Sequence, residues 1–184
     1  DGDSAQSSDA IDLGQAIAFK DDGPSITVSA TTAADALVVD ETTLATNATA
    51  NLADNFSNAT HDFGADGAGT ITSAYVLSVN TTNATGLVDV ATNEAVVLSV
   101  NGSGVVEGRT ATSGDLVFTV SVDGTGTVEL DQIRAIQHAD PNNADESLSL
   151  AAADQIQLTR TDTITDKDGD SAQSSDAIDL GQAI

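Results

Sequence analysis

D-L-V-F-T-V-S-V-D-G-T-G-T-V-E-L-D-Q, residues 115–132, carries the pattern that decides the fold. Leu116, Phe118, Val120 and Val122 fall on one side of an extended chain, because successive strand side chains point to opposite faces. Asp123-Gly124 interrupts the run, and a second strand-like stretch, 127–137 (TVELDQIRAIQ), follows. Asp-Gly favours a hairpin because both of its residues tolerate positive φ. The spacing therefore predicts two antiparallel strands joined by a tight turn.

The same pattern extends outward. Residues 25–30 (SITVSA), 36–40 (ALVVD), 69–80 (GTITSAYVLSVN), 94–100 (EAVVLSV), 104–109 (GVVEGR) and 155–165 (QIQLTRTDTIT) all read as strands. Tyr75, Leu77 and Val79 share a face within one of them. Turn signals divide these runs at Asp66-Gly67, Asn101-Gly102, Ser113-Gly114 and Asp168-Gly169. Segment 41–63 is polar and reads as loop. Leu130, Ile133 and Gln137 also fit a helical face, which leaves room for one short helix. The fold class expected is all-β, an antiparallel β-sandwich of Ig-like or related type.

Composition narrows the function. The 184 residues are 40% hydrophobic, enough for a core and too apolar for a disordered acidic tail. Five Lys and Arg face 29 Asp and Glu, a formal net charge of -24. Such a surface repels nucleic acid and anionic membranes, whose phosphates are bound through Lys and Arg. It also repels itself unless cations bind, and calcium is the hard, oxygen-seeking extracellular cation that suits it. Cysteine is absent, which rules out disulfides and thiolate chemistry. No apolar run approaches the roughly 20 residues of a membrane-spanning helix. The chain begins in mid-pattern and reads as a fragment.

Residues 1–17 read DGDSAQSSDAIDLGQAI, and residues 168–184 are identical. Chance does not produce such an identity in a chain this short. The copies start at Asp1 and Asp168, so the parent repeats at that interval, at least locally. The interval is far longer than a solenoid coil, so each repeat is expected to be a folded bead. The repeated string alternates too: Ile11, Leu13, Ile17 and Phe19 share a face.

Four acidic stretches are candidate calcium sites. Asp166-Lys167-Asp168-Gly169-Asp170 places three carboxylates alternately across a turn, as calcium loops do; the alternative is an ordinary Asp-Gly turn. The N-terminal copy keeps only Asp1 and Asp3 of this set. Asp21-Asp22-Gly23-Pro24 follows the repeated string, and its paired carboxylates suggest a cation between beads; the alternative is a solvated linker. Asp40-Glu41 could close a site with Asp21 and Asp22 if the preceding strand returns to the same end. The loop 138–146, rich in Asp and Asn, suits either calcium or Asx turns.

Catalysis finds little support. His61 and His138 are the two histidines, and no G-x-S-x-G elbow surrounds a serine to pair with His61-Asp62. Thr31-Thr32, Thr42-Thr43 and Thr81-Thr82 form no regular ladder that would suit ice or sugar, and aromatics for a sugar platform are scarce.

Several strings together resemble the repeats of giant RTX adhesins, type I-secreted surface proteins of Gram-negative bacteria that support biofilms. They are V-D-E-T at 39–42, G-V-V-E-G-R-T at 104–110, S-G-D-L-V-F-T-V-S-V-D at 113–123, R-A-I-Q-H-A-D-P-N-N at 134–143, and T-D-K-D-G-D at 165–170 with D-D-G-P at 21–24. The resemblance implies an extracellular extender module: a β-sandwich bead strung in many copies, with calcium at joints matching Asp21, Asp22 and the 166–170 turn. Its partners would be neighbouring repeats. A ligand-binding module for glycan or another surface is the alternative. In this phase residues 21–184 form one bead and 1–20 the end of the preceding one. Both copies of the string want the same strand slot, so one is expected to complete the sandwich. The other would dock elsewhere, with exchange onto a neighbouring molecule open to it.

Overall fold

The computed structural model describes residues 1–80, 85–140, 142–143, 145–181 and 183–184. Its strands are β1 (Ser25–Ala30), β2 (Ala48–Asn51), β3 (Phe56–Asp62), β4 (Thr70–Val79), β5 (Val96–Val100), β6 (Val106–Thr110), β7 (Leu116–Val122), β8 (Thr127–Gln132), β9 (Ile156–Thr165) and β10 (Ser171–Asp179). They form a five-stranded sheet in the order β2-β8-β7-β6-β5, a three-stranded sheet β10-β9-β4, and the pair β1-β3. Every pairing is antiparallel. The all-β, sandwich-like architecture expected from the sequence is present. Among the described residues the helical content is two single 3-10 turns, Glu41–Thr43 and Ala53–Asn55, and no helix is long and apolar enough to cross a membrane.

The β7–β8 hairpin forms where the pattern placed it. Phe118 and Val120 are buried and pair with Gln132 and Leu130. The turn chemistry differs from expectation. The positive φ falls on Gly126 (84°), not on Asp123-Gly124. Asp123 Oδ1 instead accepts from the Thr125 and Thr127 amides, so the aspartate organises a longer turn that glycine closes. Gly108 pairs with Phe118 across the sheet, and a Cβ there would lie 2.2 Å from the ring. Only glycine leaves room for that phenyl group.

Two strand assignments change. Segment 41–63, expected as loop, contains β2 and β3. Alternation there is masked by polar residues, and burial of Leu52 and Phe56 anchors the segment instead. Residues 36–40, expected as a strand, carry none. Leu37 is buried there and its amide donates to the Ala183 carbonyl, a single anchor rather than a ladder. Residues 130–137 are not helical; β8 ends at Gln132 and the chain bends away.

The inner face of the three-stranded sheet meets both other sheets. Tyr75 of β4 lies against Gly126 at the tip of the β7–β8 hairpin, and Asn58 of β3 donates to Asp162 of β9. β1 runs alongside β10 in the same direction. The Val28 amide donates to Ser174 Oγ and the Ala30 amide to Asp176 Oδ2, so side chains of β10 take the place of ladder carbonyls. Leu158, Ile156 and Leu180 lie in the core, fully buried.

The repeated string has two fates. Its second copy supplies β10, which pairs with β9 over the full strand length from Ser171↔Thr165 to Asp179↔Gln157 and buries Ile178 and Leu180. Its first copy forms no strand and is exposed throughout, with Ile11 86% and Phe19, just after it, 96% accessible. The chain enters the sandwich beside the start of β10 and leaves after its end. Nine extended residues separate those points, roughly 30 Å at about 3.3 Å per residue.

Candidate functional site

The entry end of the sandwich gathers carboxylates from three parts of the chain. The linker brings Asp21 and Asp22, the β3–β4 loop brings Asp66, and the β9–β10 turn brings Asp166, Asp168 and Asp170. Carboxylate oxygens of Asp21, Asp66 and Asp168 lie within 4.8 Å of one another.

Each contributor is held by local chemistry. Asp22 Oδ2 accepts from the Ala65 amide at 3.2 Å, tying the linker to the β3–β4 loop. Gly64, at φ 74°, packs against the Asp22 carbonyl where a Cβ would come within 2.6 Å. In the β9–β10 turn the Asp166 amide donates to the Asp170 carbonyl, and Asp166 Oδ1 accepts from the Gly169 and Asp170 amides. Gly169, at φ 111°, lets the chain reverse.

The electrostatics are unbalanced. Asp166 is 4% exposed, and its Oδ2 is buried with no hydrogen-bond donor among the described residues; Asp66 Oδ2 is in the same state. Burial, then repulsion from Asp21, Asp166 and Asp22, pushes the Asp66 carboxyl above its usual range. Asp168 is raised by a hydrogen bond to Asp166 that requires a proton, and then by burial. Asp170 is raised in the same way by Asp21. None of the ion pairs among the described residues includes Lys20 or Lys167, although both are neighbours of these aspartates in sequence.

This donor set suits a hard divalent cation. Calcium takes about six to eight oxygen ligands, often carboxylates and carbonyls, and prefers a flexible shell. Sulfur and nitrogen ligands for softer metals are missing from the cluster. A cation would supply the partner that the buried Asp166 and Asp66 oxygens lack, since an unpaired buried charge is costly. Asp21, Asp66 and Asp168 would hold it, with Asp166, Asp170 and Asp22 beside them.

Of the residues singled out in the sequence, Asp21, Asp22, Asp166, Asp168 and Asp170 converge at this end. Asp66 was visible only as part of an Asp-Gly turn signal. The residues that meet it come from the distant linker and from the far end of the chain, so no local pattern could mark it as a ligand. Asp1 and Asp3 lie exposed in the strandless segment, outside the cluster.

Asp40 and Glu41 do not close a site with Asp21 and Asp22 in this chain. Asp40 caps the first 3-10 turn through the Thr42 amide. Glu41 Oε1 accepts from Gln132 Nε2 and the Ile136 amide, and lies 3.7 Å from His138. The segment after β1 crosses to the exit end, where Leu37 binds Ala183, and this separates the two acid pairs. In the loop 138–146, Pro141 and Ala144 lie outside the described residues. The remainder forms Asx turns, Asp140 to the Asn142 amide and Asn143 to the Asp145 amide. His61 Nδ1 is hydrogen-bonded to the Asn58 carbonyl, and its ring stacks edge-on against Phe63. Thr81-Thr82 lies outside the described residues.

The fold and this acidic end define an all-β module that the chain enters and leaves at opposite poles. Residues 36–181 match the family described as Domain of unknown function (DUF5801), and the chain belongs to that family. No curated protein and no solved structure matches it.

Proposed function

We propose that the chain is a structural extender: one bead of a tandem array in a long extracellular adhesin of the RTX, type I-secreted class, with calcium bound at the acidic entry end. The observation that carries this reading is the meeting of linker and bead at one set of carboxylates, two of which hold a buried oxygen without a donor. A cation there ties the incoming chain to the β3–β4 loop and the β9–β10 turn, and so limits bending at the joint. Entry and exit at opposite poles suit a string of beads that projects distal ligand-binding domains. A chain of charge -24 would also stay unfolded during metal-free export and fold where calcium is abundant.

Binding only to the folded state adds RT ln(1 + [L]/Kd), about 2.7 kcal/mol at a hundredfold excess over Kd. For a domain of this size that is a rise of roughly 5–11 °C in melting temperature. Melting the chain in calcium and in EDTA checks it, and identical melting temperatures sink the reading.

A further inference from the structure

Two unpartnered features occupy matching positions relative to the repeated string. Phe19 follows the first copy by two residues and is 96% exposed, the most accessible of the large apolar side chains. The second copy ends at Ile184, in the wall of a cavity of about 580 Å³ at the exit pole. Leu37, Leu87, Phe118, Leu130 and Ile136 form much of the apolar part of that wall. The string is pinned there, because the Leu37 amide donates to the Ala183 carbonyl at 2.7 Å and the Leu150 amide to the Ile184 carbonyl at 3.3 Å. Val38 and Leu148, also in the wall, are 76% and 41% exposed.

We infer that this cavity is the socket for the counterpart of Phe19 that follows the second copy of the string in the array. The inference rests on the reading that beads follow one another at the interval that separates Asp1 from Asp168. The residues after the first copy are Ala18-Phe19-Lys20, so an identical string at the exit pole is continued by the same three. Two extended residues reach about 7 Å beyond Ile184. A phenyl ring needs far less room than the cavity offers, since benzene enters apolar cavities of about 150 Å³. Charge agrees as well. Lys20 would arrive at a rim that holds Asp40, Glu41 and Glu146, whereas in the single chain it makes no ion pair among the described residues. The joint between beads then has two halves: an apolar plug in the exit pole of one bead and the carboxylate cluster at the entry pole of the next. The plug needs no metal.

The test extends the 184-residue chain at its C-terminus by Ala-Phe-Lys or by Ala-Ala-Lys, and melts both in EDTA at low micromolar concentration. The phenylalanine extension is expected to melt roughly 3–12 °C above the alanine one, the effect of burying one aromatic side chain in a domain of this size. A parallel extension by Ala-Trp-Lys gives a chain whose single tryptophan reports the socket, because the protein has none of its own. Its emission should be blue-shifted and shielded from acrylamide, while Phe19→Trp in the unextended chain emits as exposed indole. Equal melting of the two extensions, with equal quenching of the two tryptophans, overturns the inference. EDTA keeps this result separate from the calcium reading: loss of either effect leaves the other standing.

Discussion

Residues 1–17 and 168–184 have one sequence and two structures. The second copy is a nine-residue strand that completes a sheet, while the first is exposed coil. Composition and propensity cannot explain the difference, because they are identical. What differs is the neighbour: β9 offers the second copy a full antiparallel ladder, and β1 sends amides to Ser174 and Asp176. The first copy meets no strand of its own molecule. Strand formation here is decided by what the chain is attached to, and each position of one copy has its built-in control in the other.

That control makes the comparison easy to break. Leu180→Ala removes a fully buried core side chain and should cost about 2–5 kcal/mol, whereas its twin Leu13→Ala, 58% exposed, should change stability by less than about 0.5 kcal/mol. Urea denaturation of the two variants decides this. Similar losses would mean that the first copy also occupies a strand slot.

The carboxylates of the two copies should differ next. Asp168→Asn with Asp170→Asn should abolish the calcium-dependent rise in melting temperature, and Asp1→Asn with Asp3→Asn should preserve it. Calorimetric melts of both double variants, with calcium and with EDTA, make the comparison.

A pH effect sharpens the same contrast. Asp66, Asp168 and Asp170 are raised in the folded chain, so they favour the folded state when protonated and that contribution is lost as pH rises through their folded pKa values. Metal-free protein should therefore gain stability as pH falls from neutral towards the ordinary Asp value of 3.8. Asp162 runs the other way. Burial raises it, but hydrogen bonds from Arg160, Ser73 and Asn58 outweigh burial and lower it, so its contribution disappears as pH falls below the ordinary Asp value of 3.8. The Asp168→Asn, Asp170→Asn variant should lose much of that gain, and the Asp1, Asp3 variant should retain it. Melting curves in EDTA from neutral pH down to 3.8 test this.

The smallest expected effect is at glycine. Gly169 sits at φ 111° in the β9–β10 turn, so Gly169→Ala should cost about 1–3 kcal/mol. Gly2→Ala, with open space around it, should be neutral in the same denaturation assay.

The three arginines explain why the entry pole stands apart. Arg160 binds Asp162 through two contacts of 2.8 Å, Arg134 binds Asp89 at 2.8 and 2.9 Å, and Arg109 binds Glu107. The Arg134 guanidinium, with help from Thr92, holds the Asp89 carboxyl well below the usual carboxylate range even against burial. Asp162 and Asp89, both buried, have resident cations, and Glu107 has one on the outward face of β6. At the entry pole no Lys or Arg pairs with an acid among the described residues, and that is where an external cation has most to gain.

Alternation and turn residues were enough to announce β4, β7, β8 and β9, because their apolar residues repeat with period two and their polar faces meet water. They could not reveal β3, whose residues are mostly polar, nor reject a strand at 36–40, where apolar side chains fill a pole instead of a ladder. Five of the cluster carboxylates were legible because they sit in Asp-rich turns beside the repeated string. Asp66 was not, since its partners come from the linker and from the far end of the sequence.

The sequence by itself determined the all-β character, the repeat interval from Asp1 to Asp168, the excess of acid and the identity of the string that recurs. Tertiary structure alone decided which copy becomes β10, that Asp66 joins Asp21 and Asp168, and that Asp40-Glu41 lies at the opposite pole. The physical reason is one of range. Side-chain alternation and turn preference act over a few residues and can be read along the chain. Burial and charge proximity depend on segments that meet only once the sheets have closed.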